Sequence, residues 1–166
     1  NDLKNYDKAK EALNFALSLN KDEDVLYYNL AFVDLAIENT DEAITNLKKA
    51  ISVDENNYKY YRTLGTVYFN NKDYDKAIES IRKAYSLNEK DVLSLNNAAC
   101  YYIMVEEDIW RGYSNIESAY NDMPSDLDQD LKDVITKNYE AIKKVYDKYV
   151  NDESTAIKID NLELVY

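Results

Sequence analysis

The residues most able to do chemistry are one cysteine, Cys100, and 32 acidic residues, in a chain that has no histidine. Histidine is the commonest general base and metal ligand, so no obvious group could activate the thiol. Carboxylate pairs such as Glu106–Glu107 and Asp126–Asp128 could serve acid–base work or Ca²⁺, but such pairs arise by chance at this acidic content. No catalytic triad, metal-ligand spacing or glycine-rich phosphate loop is present. The sequence therefore predicts no enzyme, no cofactor and no metal site.

The charge balance excludes a further class of function. Twenty Lys and Arg against 32 Asp and Glu give a net charge of −12 over 166 residues. Nucleic-acid binding needs clustered cations, so no nucleic-acid partner is expected. No apolar run approaches the roughly 20 residues of a membrane span, so no membrane insertion is expected. The composition predicts a soluble protein and leaves its location unknown.

One amphipathic helix pattern occurs three times at a 34-residue interval. The copies read NYDKAKEALNFALSLNK at 5–21, NTDEAITNLKKAISVDE at 39–55 and DYDKAIESIRKAYSLNE at 73–89. Apolar residues recur with a helical period, and aligned alanines such as Ala43 and Ala77 would let a neighbouring helix approach closely. We designate this pattern helix B.

A second helix pattern, helix A, lies between the copies, at 24–39, 58–71 and 91–107. Helix A, a short turn and helix B form a unit that must stack on its neighbours to bury its faces, which predicts an all-α solenoid. The last unit is one residue longer, and we place the extra residue at Glu106–Asp108. The predicted units are a half repeat at 1–23 and repeats at 24–57, 58–91 and 92–126. The chain opens on a helix B without an initiator Met, so we expect an excerpt or mature form of a longer protein.

Two further segments follow the repeats. Residues 125–150 predict a long helix that caps the solenoid, with Ser125 as its N-cap. Residues 151–166 form a tail in which Ile157, Ile159, Leu162 and Leu164 alternate with other residues, as in an extended strand.

The repeat resembles the tetratricopeptide repeat (TPR) family, whose pattern residues are themselves packing residues. The 58–91 unit carries the match best, through Tyr61, Leu64, Gly65, Tyr68, Ala77, Ile81 and Ala84. Asp34 stands in the 24–57 unit where the pattern has a tyrosine. The resemblance covers about three and a half units and implies a concave groove, lined by the A helices, that binds a peptide or protein segment.

Carrying the family's groove positions over gives a candidate binding set, comprising Tyr28, Asn29, Phe32, Lys59, Arg62, Thr66, Asn96, Asn97 and Cys100. Asn29 and Asn97 occupy the same repeat position, and a carboxamide can both donate to and accept from a partner's backbone. The alternative is that these side chains bond to a neighbouring repeat. Family members that bind chaperone tails use a clamp of two Lys, two Asn and one Arg, and Thr63 and Leu93 break that pattern here.

The sequence leaves three functions open. The first is a non-catalytic scaffold that binds a protein segment in the groove. The second is self-association or tail docking, in which the segment at 155–166 enters a groove of the same chain or of another copy, giving a homo-oligomer. The third is small-molecule or glycan binding by a tyrosine-lined face.

Overall fold

The computed structural model describes residues 2–152, 154, 156–159 and 161–166. The described residues form eight α-helices and no strand, which confirms the predicted all-α class. The helices are α1 (Asp2–Leu19), α2 (Asp24–Ala36), α3 (Thr40–Val53), α4 (Tyr58–Asn70), α5 (Tyr74–Leu87), α6 (Val92–Met104), α7 (Ile109–Asn121) and α8 (Gln129–Asn151). None of these helices is long and apolar enough to cross a membrane.

The helices stack as the repeat pattern predicts. Each even-numbered helix packs against the odd-numbered helix that follows it, as α2 does with α3, and each B helix also contacts the next A helix. Among the even-numbered helices, α4 contacts α6 and α6 contacts α8. We refer to the surface formed by α2, α4, α6 and α8 as the A-helix groove.

Small residues make this close stacking possible. The small residues lie in rows along the helices. Ala31, Ala43, Ala77 and Ala99 in these rows are all completely buried, as the sequence predicts for the aligned Ala43 and Ala77. A Cβ built on Gly112 would lie 2.4 Å from Cδ1 of Ile103. A larger side chain in these rows would push neighbouring helices apart.

The turn after each A helix repeats one backbone motif. The N–H groups of Asn39 and Asp73 bond to carbonyls five residues back, at 2.8 and 2.9 Å, and the residues before them, Glu38 and Lys72, have φ of 61° and 62°. These are Schellman caps, which satisfy the last carbonyls of a helix through one left-handed residue. The equivalent residue in the next turn is Glu107, with φ of 51°. That turn spans 105–108 and contains the extra residue, as predicted.

The substitution at Asp34 is compensated by two other polar residues. Its carboxylate is fully buried where the repeat pattern places a tyrosine. It accepts a hydrogen bond of 2.8 Å from Asn46 and pairs with Lys10 from α1. A buried carboxylate is tolerated only with such partners, so this network ties α1, α2 and α3 together.

The capping helix begins later than predicted. It starts at Gln129, and the carboxylate of Asp128 accepts hydrogen bonds from the N–H groups of Asp130 and Leu131 at 2.9 and 3.4 Å. Ser125 is therefore not the N-cap. It lies in the turn that follows Pro124, and its carbonyl accepts a hydrogen bond from Lys132. The carboxylate at this N-cap accepts from otherwise unbonded N–H groups and lies at the positive end of the helix dipole.

The turn geometry generates a first prediction. Lys72→Gly should raise the free energy of unfolding by about 0.5–1 kcal/mol, because glycine adopts positive φ without the steric cost that a side chain incurs. Chemical denaturation measures the change. Lys72→Ala is the matched control, since it shortens the side chain and keeps the strain. Equal stability of the two variants would show that the left-handed residue is unstrained.

Candidate binding groove

The A-helix groove is occupied by the end of the chain itself. Residues 162–166 cross α8, α6 and α4 in turn, and the ring of Tyr166 reaches Phe32 on α2, with 6.2 Å between the ring centroids. Leu162 and Val165 are buried, with 8% and 5% of their surface exposed. The tail therefore forms part of the hydrophobic core that α6, α7 and α8 share.

Asn97 holds both main-chain polar groups of Val165. Its Oδ1 accepts the Val165 N–H at 2.8 Å, and its Nδ2 donates to the Val165 carbonyl at 2.6 Å. The hydroxyl of Thr66 donates to the same carbonyl at 2.8 Å. One carboxamide thus makes the pair of bonds that a neighbouring antiparallel strand would make.

Asn138 holds Glu163 in the same way, two residues earlier. Its Oδ1 accepts the Glu163 N–H at 3.1 Å, and its Nδ2 donates to the Glu163 carbonyl at 2.8 Å. Asn96 donates a second bond to that carbonyl at 3.0 Å. Alternate residues of the tail are therefore fixed by their backbones, and the side chain of Glu163 stays exposed.

We refer to the four polar side chains that hold the tail backbone as the clamp, and none of them has access to water. Thr66, Asn96, Asn97 and Asn138 are each completely buried. A buried polar group without a partner costs about 1–3 kcal/mol. The tail backbone removes that cost here, which explains why amides are stable in the interior of helices where they have poor propensity.

The structure places Tyr28, Phe32 and Asn29 apart from the clamp. The hydroxyl of Tyr28 lies 2.9 Å from Oγ1 of Thr63 and links α2 to α4, and burial raises its pKa. Phe32 meets the tail at the ring of Tyr166. Asn29 is exposed and makes no hydrogen bond within the described part of the chain, although its repeat position matches that of Asn97.

The two predicted groove cations have different environments. Lys59 is exposed. Arg62 is 6% exposed, and its guanidinium donates to the carboxylate of Asp91 at 2.6 Å. That carboxylate also accepts the N–H of Ser94 at 3.0 Å and caps α6. Arg62 therefore joins α4 to α6, while its Nε has no hydrogen-bond partner within the described residues.

Cys100 forms part of the groove wall beneath the tail. It is completely buried, and its sulfur lies 3.6 Å from the carbonyl oxygen of Glu163. Burial raises the pKa of the thiol, because a thiolate would lose its hydration there. A protonated, enclosed thiol is a poor nucleophile, so the side chain contributes shape and not reactivity. Across the described residues, no group of three or more acidic or cysteine side chains is placed to hold a metal ion.

Sequence reasoning missed Asn138, the residue that holds Glu163. The amide lies within the apolar stripe of α8, three residues after Ile135 and four before Ile142, both completely buried. A polar residue in the middle of a buried stripe was the available signal. The capping helix does not follow the 34-residue interval, so the repeat alignment that identified Asn97 could not identify Asn138.

Comparison with known proteins agrees with the helix pairing. Tetratricopeptide repeat models match residues 25–57 and 58–91. The crystal structure of MamA superposes with a TM-score of 0.65 at 18% identity, covering 88% of this chain and 91% of that one. The Yersinia enterocolitica type III secretion chaperone SycD, solved in complex with a peptide of the translocator YopD, gives 0.63 at 20% identity, covering 74% and 95%. No curated protein sequence matches the chain. These likenesses show a shared fold.

The repeat-equivalent asparagines supply a matched pair for mutation. Asn97→Ala should lower the free energy of unfolding by about 2 kcal/mol. The substitution removes two hydrogen bonds to Val165 and leaves the buried N–H of Val165 without a partner. Asn29→Ala should change the free energy of unfolding by less than about 0.5 kcal/mol, because the side chain is exposed. Thermal and urea denaturation of both variants test the difference. Equal effects would contradict the clamp.

The cations supply a second pair. Arg62→Met should destabilise the fold by about 3 kcal/mol, because it leaves the buried carboxylate of Asp91 without its counter-charge. Lys59→Met, one helical turn away and exposed, should change stability by less than about 0.5 kcal/mol. Urea denaturation separates the two. A neutral Arg62→Met would mean that the pair adds nothing beyond what a hydrophobic side chain supplies.

Proposed function

Because the chain is a tetratricopeptide repeat protein over residues 25–91, we propose that it is a non-catalytic scaffold whose A-helix groove binds an extended protein segment. In the described state the chain's own tail takes that place. The main observation that supports this proposal is that Asn138 and Asn97 each bond both the N–H and the C=O of one tail residue. The tail then acts as a competitor for any partner.

The geometry supports a binding role because the clamp hydrogen-bonds to main-chain groups and not to side chains. Main-chain N–H and C=O groups occur in every segment, so the same asparagines can hold another chain of suitable side-chain size. Affinity then comes from the clamp, and selectivity comes from the pockets that Leu162 and Val165 fill.

The structural neighbour adds support of a coarser kind. SycD shares this fold and was solved in complex with a peptide of the translocator YopD. A helix-pair solenoid of similar size therefore accommodates a peptide. The fold is consistent with the same use here, and this chain's own asparagines supply the contacts.

A second candidate function is self-association by exchange of tails. The tail's hydrogen bonds would be identical if a second copy supplied it. Residues 152–161 connect α8 to Leu162, and ten extended residues can span up to about 33 Å. The order of the assembly distinguishes this candidate from docking within one chain.

A peptide-binding measurement tests the proposal. The double variant Leu162→Asp, Val165→Asp should release the tail, because buried carboxylates are strongly disfavoured. A fluorescent peptide of residues 156–166 should then bind this variant of the 166-residue chain at least about tenfold more tightly than the wild-type chain, where the tail competes. Fluorescence polarisation measures both affinities, and circular dichroism checks that helicity is retained. Should the double variant unfold, Val165→Asp alone replaces it.

The controls separate the two candidates. Adding Asn97→Ala and Asn138→Ala to the double variant should abolish peptide binding. Light scattering gives the mass of the wild-type chain: a monomer indicates docking within one chain, and a dimer that the tail variant dissociates indicates exchange. A released-tail variant that is folded and does not bind the peptide would overturn the proposal.

A further inference from the structure

The bonding pattern of the tail defines the kind of segment that the groove accepts. We infer that the partner is an extended, non-helical segment of five residues: aliphatic, any, apolar, aliphatic, aromatic, with free N–H groups at the second and fourth positions. This inference rests on the proposed function and specifies the partner of the same groove. The five positions correspond to Leu162, Glu163, Leu164, Val165 and Tyr166.

Extended backbone follows from which groups are bonded. In a strand, the N–H and C=O of one residue point to the same side, and residues two apart share that side. Asn138 takes both groups of Glu163, and Asn97 takes both groups of Val165. In an α-helix these groups point in opposite directions along the axis and are bonded within the helix. A helical ligand could not satisfy either asparagine.

The requirement for N–H groups at alternate positions follows from the same bonds. The amides of Glu163 and Val165 donate to Asn138 and Asn97, at 3.1 and 2.8 Å. The amide of Leu164 makes no hydrogen bond within the part of the chain that the structure describes. A proline is therefore disfavoured at the second and fourth positions, because it has no N–H to donate. At the second position it would leave the buried Oδ1 of Asn138 without a donor among the described residues, and at the fourth it would leave Oδ1 of Asn97 with the longer, 3.3 Å bond from Asn96.

Burial determines the side-chain preferences. Leu162 and Val165 fill closed sites, so a charge at the first or fourth position is disfavoured. The Glu163 side chain is exposed, so the second position is unrestricted. Leu164 is half-buried. It packs against the core that α6, α7 and α8 share and against a second core formed by residues of α2 to α6, which favours an apolar third residue.

The fifth position favours an aromatic residue with a hydroxyl group. The ring of Tyr166 meets Phe32 edge-on, with 78° between the ring planes, a favourable aromatic arrangement. Its hydroxyl lies 3.2 Å from Nδ2 of Asn70. The ring is 41% exposed, so this position contributes less selectivity than the buried first and fourth positions.

N-methylation of the peptide tests the inference at the level of single amides. The protein is the 166-residue chain with Leu162→Asp and Val165→Asp, and the probes are labelled peptides of residues 156–166. Methylating the amide of Val165 should weaken binding at least about tenfold, because it removes the 2.8 Å bond to Asn97 and places a methyl group where that buried Oδ1 lies. Methylating the amide of Leu164 should change the affinity less than about threefold. A peptide carrying Val165→Asp should bind as weakly as the peptide that is methylated at the Val165 amide.

The outcomes distinguish this inference from the function on which it rests. Tight binding of the unmodified peptide, with selective loss on methylation at Val165, supports both. Tight binding with equal losses at Leu164 and Val165 would overturn the inferred register and leave groove binding intact. No binding of the unmodified peptide would overturn the proposed function itself.

Discussion

The paired hydrogen bonds between the carboxamide of Asn97 and the backbone of Val165 organise this structure. The two bonds measure 2.8 and 2.6 Å and lie where no water can replace them. Without them, the end of the chain would have no defined register on α4 and α6. With them, Leu162 and Val165 pack as core residues, and the tail buries the side chains that line the A-helix groove. Asn138 repeats the arrangement on α8, so the tail is fixed at two points.

The stacking of the repeats is what brings the clamp together. Ala31, Gly65 and Ala99 keep neighbouring helices close, and the same Schellman turn joins α2 to α3 and α4 to α5. Thr66 and Asn97 come from successive A helices, so their side chains meet only if α4 and α6 pack at this distance. The tail contributes to the same core in return. Scaffold and ligand site therefore stabilise each other, and a mutation in either should affect both.

Much of this could be predicted from the amino-acid sequence, because repeats encode packing directly. The 34-residue interval located the helices from α1 to α7, and the rows of small residues identified the helix contacts. The resemblance to the tetratricopeptide repeat family implied that Thr66, Asn96, Asn97 and Cys100 line one groove, and the structure brings these four residues together around the tail. The alternation of apolar residues in the tail indicated an extended segment. Side chains of the A-helix groove hold its last residues in an extended conformation, although no partner strand is present among the described residues.

The rest depends on contacts that no repeat position records. Asn29 satisfies the same alignment as Asn97, yet it makes no hydrogen bond to the described tail residues and stays exposed. Arg62 is predicted as a groove residue, and the structure pairs it with Asp91 at the start of α6. Asn138 lies outside the repeats, and its role follows from the path of the tail. Each difference comes from one segment or residue meeting a partner distant in sequence.

Amide hydrogen exchange at the end of the chain tests the central claim most directly. The account predicts that the amides of Glu163 and Val165 exchange slowly, because Asn138 and Asn97 hold them, while the amide of Leu164 between them exchanges faster. This alternation has no other source in the described structure. Rapid exchange at all three amides would contradict the account, because it would show that the tail is not held in the groove.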